Sequence, residues 1–247
     1  MSIESADDIK GLLKIGRIVG LAILAMRDAL EPGMTTAELD KIGERFLHQN
    51  GARSAPQLAY KFPGATCISI NDEVAHGIPG SRVIQAGDVV NIDVSAELDG
   101  YFADSGMTMP VPPVSAETER LVECARRALA SAIDAARAGS RINAIGRAVQ
   151  VEAERCGYNI IRDLSGHGVG RKIHEKPSVP NYFTNRAKDK LTDGLVITLE
   201  PFLTPGAGKI YTADDGWTLK TTDRKPFAQF EHTIIVTKDK PILVTAV

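Results

Sequence analysis

Apolar residues recur at intervals of three and four along the first part of the chain, from residue 7 to residue 30. This spacing places them on one face of a helix, so it predicts an amphipathic helix that Pro32-Gly33 ends. The next residues, TTAE at 35–38, have the sequence of a capping box. A second helix is therefore expected from there to Asn50-Gly51.

The same order of elements is predicted again in the second half of the chain. Residues 115–138 have helical periodicity, with Ser115 as N-cap and acidic residues in the first turn. Gly139-Ser140 breaks this helix and caps a fourth one, which is expected to end at Cys156-Gly157. Segment 65–110 and most of the chain after the fourth helix are predicted to be strands and loops. Each half of the chain is therefore expected to contain two helices followed by strands.

The two halves also repeat in detail. Each has a His-Gly pair, an apolar strand with a carboxylate at its end, and a later acid: His76-Gly77, VVNIDV (89–94) and Asp104 in the first, and His167-Gly168, LVITLEP (195–201) and Glu231 in the second. No linker rich in Pro, Gly or Ser separates them. We therefore expect one pseudo-symmetric domain over residues 1–247, with halves at about 7–110 and 115–240, strands facing a shared cleft and helices outside.

Composition excludes some classes of function. The 247 residues carry a formal net charge of −2, so there is no basic excess for binding nucleic acid or an anionic membrane. The beginning of the chain lacks the pattern of a signal peptide, and the longest apolar run, at about 19–26, is too short to span a bilayer. The three cysteines show no paired spacing, which argues against a disulfide framework and for a reducing cytoplasm.

Acidic residues inside the apolar strands are the candidate chemistry. Asp93 and Glu200 lie in runs that should be buried, where a carboxylate must pair with a cation or take up a proton. If Asp99-Gly100 forms a two-residue hairpin loop, Asp93 faces Gly106 and shares its face with Asp104, about 7–8 Å away at the backbone. A loop of odd length would separate them, and either aspartate taken alone could be a simple turn former.

Four such carboxylates and one neutral imidazole would carry a charge that two divalent cations cancel. Oxygen ligands with one histidine suit Mn, Fe, Co or Zn. Two ions about 3.5–4 Å apart can share a water and lower its pKa towards 7, which predicts metal-assisted hydrolysis. A single histidine is more often a core residue than a ligand, so the prediction depends on finding acids and a histidine at matching places in both halves.

Six motifs in order resemble type I methionine aminopeptidase, of the pita-bread fold: NDEVAHGIPG, GDVVNIDV, DGYFADSG, SGHGVGRKIHEKP, ITLEP and AQFEHTIIVT. The resemblance runs from about residue 7 to the last strand. It implies an α+β fold of pseudo-two-fold symmetry, with an antiparallel sheet core and helices outside. It also implies removal of the initiator methionine from nascent proteins when the second residue is small, by a water or hydroxide held on a dinuclear metal site.

The resemblance assigns roles to individual residues. Two divalent ions (Co, Mn, Fe or Zn) would be held by Asp93, Asp104, His167, Glu200 and Glu231. Glu200 would also shuttle the proton of the attacking water, His174 would stabilise the oxyanion, and His76 would contact the scissile amide nitrogen. The methionine pocket would include Phe62, Cys67 and Trp217, whereas Ile173 and Ala59 stand where aromatic residues are usual. No long insertion separates His174 from Glu200, which favours type I over type II.

The resemblance further implies a cytoplasmic monomer that meets nascent polypeptide N-termini, including at the ribosome. Two alternatives share the fold. Aminopeptidase P and prolidase use the same metals but usually carry an extra N-terminal domain, and a binding module with a dead site would have lost ligands that this chain keeps.

Overall fold

Five helices are present in the computed structural model, which describes residues 1–247: α1 (Ala6–Ala29), α2 (Thr36–Gln49), α3 (Ala55–Tyr60), α4 (Ala116–Ala135) and α5 (Ile142–Cys156). Capping boxes start α1, at Ser5 and Asp8, and α2, at Thr35 and Glu38. Each box satisfies backbone N–H groups that the first helical turn leaves without partners.

The boundaries of the helices agree with the sequence pattern at most places, with three differences. Helix α4 ends at Ala135, three residues before the expected end at 138. The N-cap of α5 is Arg141, without a side-chain cap, and not Ser140 as expected. The short helix α3 was not predicted, because six residues are too few to show a period. It begins at the N-cap Ser54 with a proline in its first turn, where a missing N–H removes no hydrogen bond.

The strands pair antiparallel, and all have six residues or fewer except β4 and β5, which have ten each. They are β1 (Arg53–Ser54), β2 (Cys67–Ile70), β3 (Glu73–Ala75), β4 (Val89–Leu98), β5 (Tyr101–Pro110), β6 (Asn159–Ile160), β7 (Ser165–Gly168), β8 (Glu175–Pro180), β9 (Val196–Leu199), β10 (Phe202–Thr204), β11 (Ile210–Thr212), β12 (Leu219–Thr221), β13 (Ala228–Gln229), β14 (His232–Ile235) and β15 (Ile242–Leu243).

The hairpin β4–β5 is the centre of the first sheet, in which β4 also pairs with β1 and β2. Asp99 and Gly100 form its two-residue loop, with φ of 53° and 81°. Two left-handed residues match the right-handed twist of the strands, so the loop holds the register. Leu98 pairs with Tyr101 and Asp93 with Gly106, which confirms the predicted register.

The second half contains a five-stranded sheet in the order β15-β14-β9-β7-β8. Two three-stranded sheets, β13-β10-β6 and β11-β12-β3, complete the fold. Helices α1 and α2 pack together and α1 covers β4 and β5, whereas α4 and α5 pack together against strands of the second half. Each helix pair lies over its own apolar core. No helix has both the length and the apolar character that crossing a membrane requires.

The edge of β5 lies against the segment between β13 and β14, and this contact joins the two halves. The Glu231 backbone N–H donates to the Gly106 carbonyl at 2.9 Å. Thr233 Oγ1 accepts from the Asp104 backbone N–H at 3.0 Å and donates to the Asp104 carbonyl at 2.8 Å. These bonds bring Asp104 and Glu231, which are distant in the chain, to the same place.

A disulfide joins Cys124 of α4 to Cys156 of α5, with their Cα atoms 6.4 Å apart, whereas Cys67 is free. The spacing of the cysteines argued against a disulfide framework, and it did not predict this one disulfide. The two residues are 32 positions apart and meet only because the helices pack, so their spacing in the chain shows no sign of it.

Candidate active site

Asp93 and Asp104 lie on adjacent strands, with Asp93 opposite Gly106 and Asp104 opposite Ser95. The period of two in a strand therefore puts both carboxylates on one face of the sheet, as diagonal neighbours. Burial, as the largest cause, raises the pKa of Asp93 to about 6. Burial and the nearby charges of Asp93 and Glu200 raise the pKa of Asp104 well above its usual range.

Glu200 follows the last residue of β9, and Glu231 lies between β13 and β14. Glu200 Oε1 accepts a hydrogen bond from Thr198 Oγ1 at 2.8 Å, and Glu231 Oε2 accepts from Gln229 Nε2 at 3.0 Å. Burial raises the pKa of Glu200 to about 8. The pKa of Glu231 is also raised, first by burial and then by the neighbouring carboxylates.

His167 on β7 turns one ring nitrogen to the backbone and the other to the acids. Nδ1 lies 2.9 Å from the carbonyl oxygen of Gly168, which can only accept, so Nδ1 carries the proton and Nε2 keeps its lone pair. Nε2 is 3.5 Å from Glu200 Oε1 and 3.7 Å from Asp104 Oδ2. Burial, assisted by His174, lowers the pKa of His167 to about 4, so the ring is neutral at neutral pH.

The hydroxyl of Thr198 holds His167 and Glu200 in place together. It accepts from the His167 backbone N–H at 3.0 Å while it donates to Glu200. Sequence reasoning missed this residue, although its position two residues before Glu200 in an extended segment is a signal that could have been read.

Glycines on either side of His167 allow the backbones of the second sheet to approach closely. A Cβ at Gly166 would lie 2.4 Å from the Thr198 carbonyl oxygen, and one at Gly168 would lie 2.2 Å from the carbonyl oxygen of Lys176. Neither clash can be relieved without moving backbone. The glycines flanking His167 are thus needed to place its ring next to the acids.

The donor set fits divalent cations. Asp104 Oδ1 and Glu231 Oε1 are buried and have no hydrogen-bond partner. Ligand atoms of Asp104, His167 and Glu231 lie within 4.8 Å of one another. No lysine or arginine lines the cleft, so no side-chain cation of the protein neutralises these acids. Carboxylate oxygens with one neutral imidazole are the donors that Mn, Fe, Co or Zn accept.

His76 and His174 stand at the mouth of the cleft. His76 follows β3 in a left-handed conformation, with φ of 54°, and its side chain is exposed. The His174 ring is 4.2 Å from that of His167, centroid to centroid, and its Nδ1 is 2.5 Å from the hydroxyl of Tyr60. Partial burial, followed by the proximity of His76, lowers the pKa of His174.

An apolar wall closes one side of the cleft, which has a volume of about 420 Å³. Phe62 and Trp217 meet edge to face there, and Cys67 and the buried Ile173 lie on the same lining. Burial raises the pKa of the Cys67 thiol, which therefore stays neutral and behaves as a small apolar side chain. All the residues expected at the site thus line this one cleft, whereas Ala59 does not.

The structure adds lining residues that sequence reasoning missed, and most carry no signal in the chain: Pro56, Tyr60, Ala75, Ser95, Asp163, Leu164, Ser165 and Phe202. Tyr60 and Pro56 belong to α3, the helix that the pattern did not predict. Ser95 could have been found, since it lies on the same face of β4 as Asp93.

Comparison with known proteins identifies relatives over nearly the whole chain. The profile of metallopeptidase family M24 matches residues 10–238. Methionine aminopeptidase 2 of Bacillus subtilis is 47% identical over 247 residues, which cover 99% of each chain. The crystal structure of methionine aminopeptidase from Rickettsia prowazekii superimposes with a TM-score of 0.95 at 36% identity, over 100% of both chains. Prolidase from Pyrococcus furiosus, at 23% identity, matches with a TM-score of 0.80 over 99% of this chain but 65% of its own, which shows a shared fold.

Proposed function

The chain belongs to metallopeptidase family M24 and is a metal-dependent aminopeptidase that removes N-terminal methionine, and we propose that it acts as a type I enzyme on chains with a small second residue. Its fold is the α+β pita-bread fold with antiparallel sheets. The observation that carries the proposal is the pair of unpartnered buried oxygens, Asp104 Oδ1 and Glu231 Oε1, in a cleft that also has an apolar wall.

Two divalent ions, of Co, Mn, Fe or Zn, would be held by Asp93, Asp104, His167, Glu200 and Glu231. The Nδ1–H of His167 donates to the backbone, which leaves the lone pair of Nε2 available to bind an ion. Thr198 orients Glu200. When bound, such ions supply Lewis-acid chemistry, which polarises a carbonyl oxygen and makes water a stronger nucleophile near neutral pH.

The side chains around the acids would bind the substrate and move its protons. The acids hold the free amino group of the methionine, so a formylated terminus is not a substrate. Glu200 takes the proton of the attacking water and passes it to the leaving amine. His174 donates a hydrogen bond to the oxyanion as it forms, and His76 contacts the scissile amide nitrogen. Phe62, Cys67 and Trp217 receive the methionine side chain.

The wider setting is part of the same proposal. Residues 1–247 form one catalytic domain, whose halves at about 7–110 and 115–240 each contribute metal ligands. The protein acts as a cytoplasmic monomer on nascent polypeptide N-termini, including those at the ribosome. Sedimentation of the protein alone tests the monomeric state, which a stable dimer would contradict. Sedimentation with ribosomes tests the ribosomal setting, which an absence of co-sedimentation would contradict.

A peptide assay tests the function. Protein stripped by a chelator is reloaded separately with Co, Mn, Fe and Zn, and release of methionine is measured from Met-Ala-Ser, formyl-Met-Ala-Ser and an Xaa-Pro peptide. We expect metal-dependent cleavage of Met-Ala-Ser alone. Cleavage of the Xaa-Pro peptide in preference would identify a proline-specific peptidase, and metal binding without any cleavage would identify a binding module.

A further inference from the structure

The hydroxyl of Tyr60 lies 2.5 Å from Nδ1 of His174, although the two residues are 114 positions apart. Their rings are tilted by 47°, with centroids 5.5 Å apart. Tyr60 is the last residue of α3, and both residues line the cleft that contains the acids. None of the functions assigned so far uses this contact.

The tautomer of His174 determines which of the two groups donates, and if the imidazole donated, the phenol O–H would have no acceptor in the protein. A phenol has a pKa of about 10 and is protonated at neutral pH, so the hydroxyl of Tyr60 can donate. The only hydrogen-bond partner of that hydroxyl is the imidazole. A neutral imidazole has one donor nitrogen and one acceptor nitrogen. If the phenol donates, Nδ1 is the acceptor and the ring proton must be on Nε2.

The other nitrogen of the ring is free for the substrate. Nε2 of His174 has no hydrogen-bond partner in the protein, while the ring stands beside His167 at the edge of the acid cluster. A donor at this position has to carry its proton before the reaction begins. A ring without a partner at Nδ1 would populate both tautomers and turn more freely, and only one of the two tautomers offers a donor at Nε2.

We propose that Tyr60 is a positioning residue for peptide hydrolysis: its hydroxyl donates to Nδ1 of His174, which fixes the ring as the Nε2–H tautomer and directs that N–H to the scissile carbonyl oxygen. The inference rests on the proposed function of His174 as the donor to the oxyanion. It adds a residue that does not touch the reacting atoms and acts through the histidine. The substrate side of the contact is a peptide carbonyl group.

The hydrogen bond can be tested on metal-free protein without any assay of activity. Nitrogen-15 NMR of histidine-labelled protein, with the His174 signals assigned by their loss in His174→Ala, distinguishes a protonated ring nitrogen from an unprotonated one. We expect an unprotonated Nδ1 and a protonated Nε2 in the wild type, and a mixture of tautomers in Tyr60→Phe. A protonated Nδ1 in the wild type, or spectra that Tyr60→Phe leaves unchanged, would overturn the proposal.

Kinetics of the loaded enzyme separate positioning from general damage. Tyr60→Phe should lower kcat for Met-Ala-Ser about 10-fold, less than the roughly 10²–10³-fold expected for losing an oxyanion donor itself. KM and metal affinity should stay at their wild-type values. Tyr211→Phe is the matched control, because Tyr211 is 50% exposed, close to the 44% of Tyr60, and lies outside the cleft. An effect on KM or metal affinity with kcat unchanged contradicts the assigned role.

The two parts of the experiment also distinguish this proposal from the function on which it rests. A wild-type enzyme that releases no methionine would refute the proposed function, and the catalytic part of the inference would fall with it. Methionine release by a wild type whose kcat is unaffected by Tyr60→Phe would refute the inference alone.

Discussion

The rings of Phe62 and Trp217 meet edge to face, with centroids 5.3 Å apart and an angle of 82° between their planes. Phe62 lies just after α3, and Trp217 lies in the loop before β12. Together they form one wall of the cleft, which Cys67 also lines. A thioether placed against such ring edges gains about 0.3–1.5 kcal/mol beyond apolar burial. This wall therefore suits an unbranched, sulfur-containing side chain.

Binding of methionine should change the fluorescence of the protein. Trp217 is the single tryptophan, so the emission reports on this wall. We expect a saturable change when methionine is titrated into the metal-loaded enzyme, and none with alanine as the control amino acid. Constant fluorescence at saturating methionine would place the side chain elsewhere.

Replacing Ile173 should alter side-chain preference and not metal binding. Ile173 is buried, with 4% of its surface exposed, and it lines the pocket without coordinating anything. Ile173→Phe adds a ring to this wall and should shift the ratio of kcat/KM between methionine and norleucine peptides. Ile173→Leu, which conserves volume, should change the ratio little. A change of metal affinity with the ratio unchanged would contradict the assignment of Ile173 to the pocket.

Removing the carboxylate of Asp104 should abolish hydrolysis and weaken metal binding. Its Oδ1 has no partner in the protein, and ligand atoms of Asp104, His167 and Glu231 lie within 4.8 Å of one another. Titration calorimetry with Mn and Co is expected to show a loss of affinity in Asp104→Ala, with a smaller rise in Tm on adding metal than in the wild type. Turnover like that of the wild type at low metal would rule out the two-metal site.

Replacing His174 should separate catalysis from metal binding. Its ring faces the cleft, but its bonded nitrogen is held by Tyr60. We expect His174→Ala to lower kcat by about 10²–10³-fold, because a hydrogen bond that strengthens as the oxyanion forms is lost. Metal affinity measured by calorimetry should be nearly unchanged. A large loss of affinity would instead make His174 a ligand.

Reducing the Cys124–Cys156 disulfide should lower stability and leave the reaction intact. The bond closes a loop between residues 32 positions apart, for which chain entropy gives about 3–4 kcal/mol. Denaturant unfolding should show this loss on addition of a reductant, whereas kcat of the metal-loaded enzyme should not change, because neither cysteine lines the cleft. The control is Cys124→Ala/Cys156→Ala, whose unfolding should be insensitive to reductant. If the unfolding of the wild type were equally insensitive to reductant, the pair would not be bonded.

Local rules of the chain determined a large part of the site. The turn Asp99-Gly100 and the period of two in its strands were enough to place Asp93 and Asp104 on one face in the correct register. Helical periodicity and capping sequences located four of the five helices. These features depend on neighbours a few residues away, so the sequence determines them by itself.

Contacts between distant segments were decided only by the tertiary structure. Glu231 reaches Asp104 because the edge of β5 bonds to the segment before β14, and Cys124 meets Cys156 because α4 packs on α5. Tyr60 comes to His174 from a helix too short to have a periodic signal. Such pairs depend on how whole elements pack against one another, and packing follows from the total burial of apolar surface, which no local pattern contains.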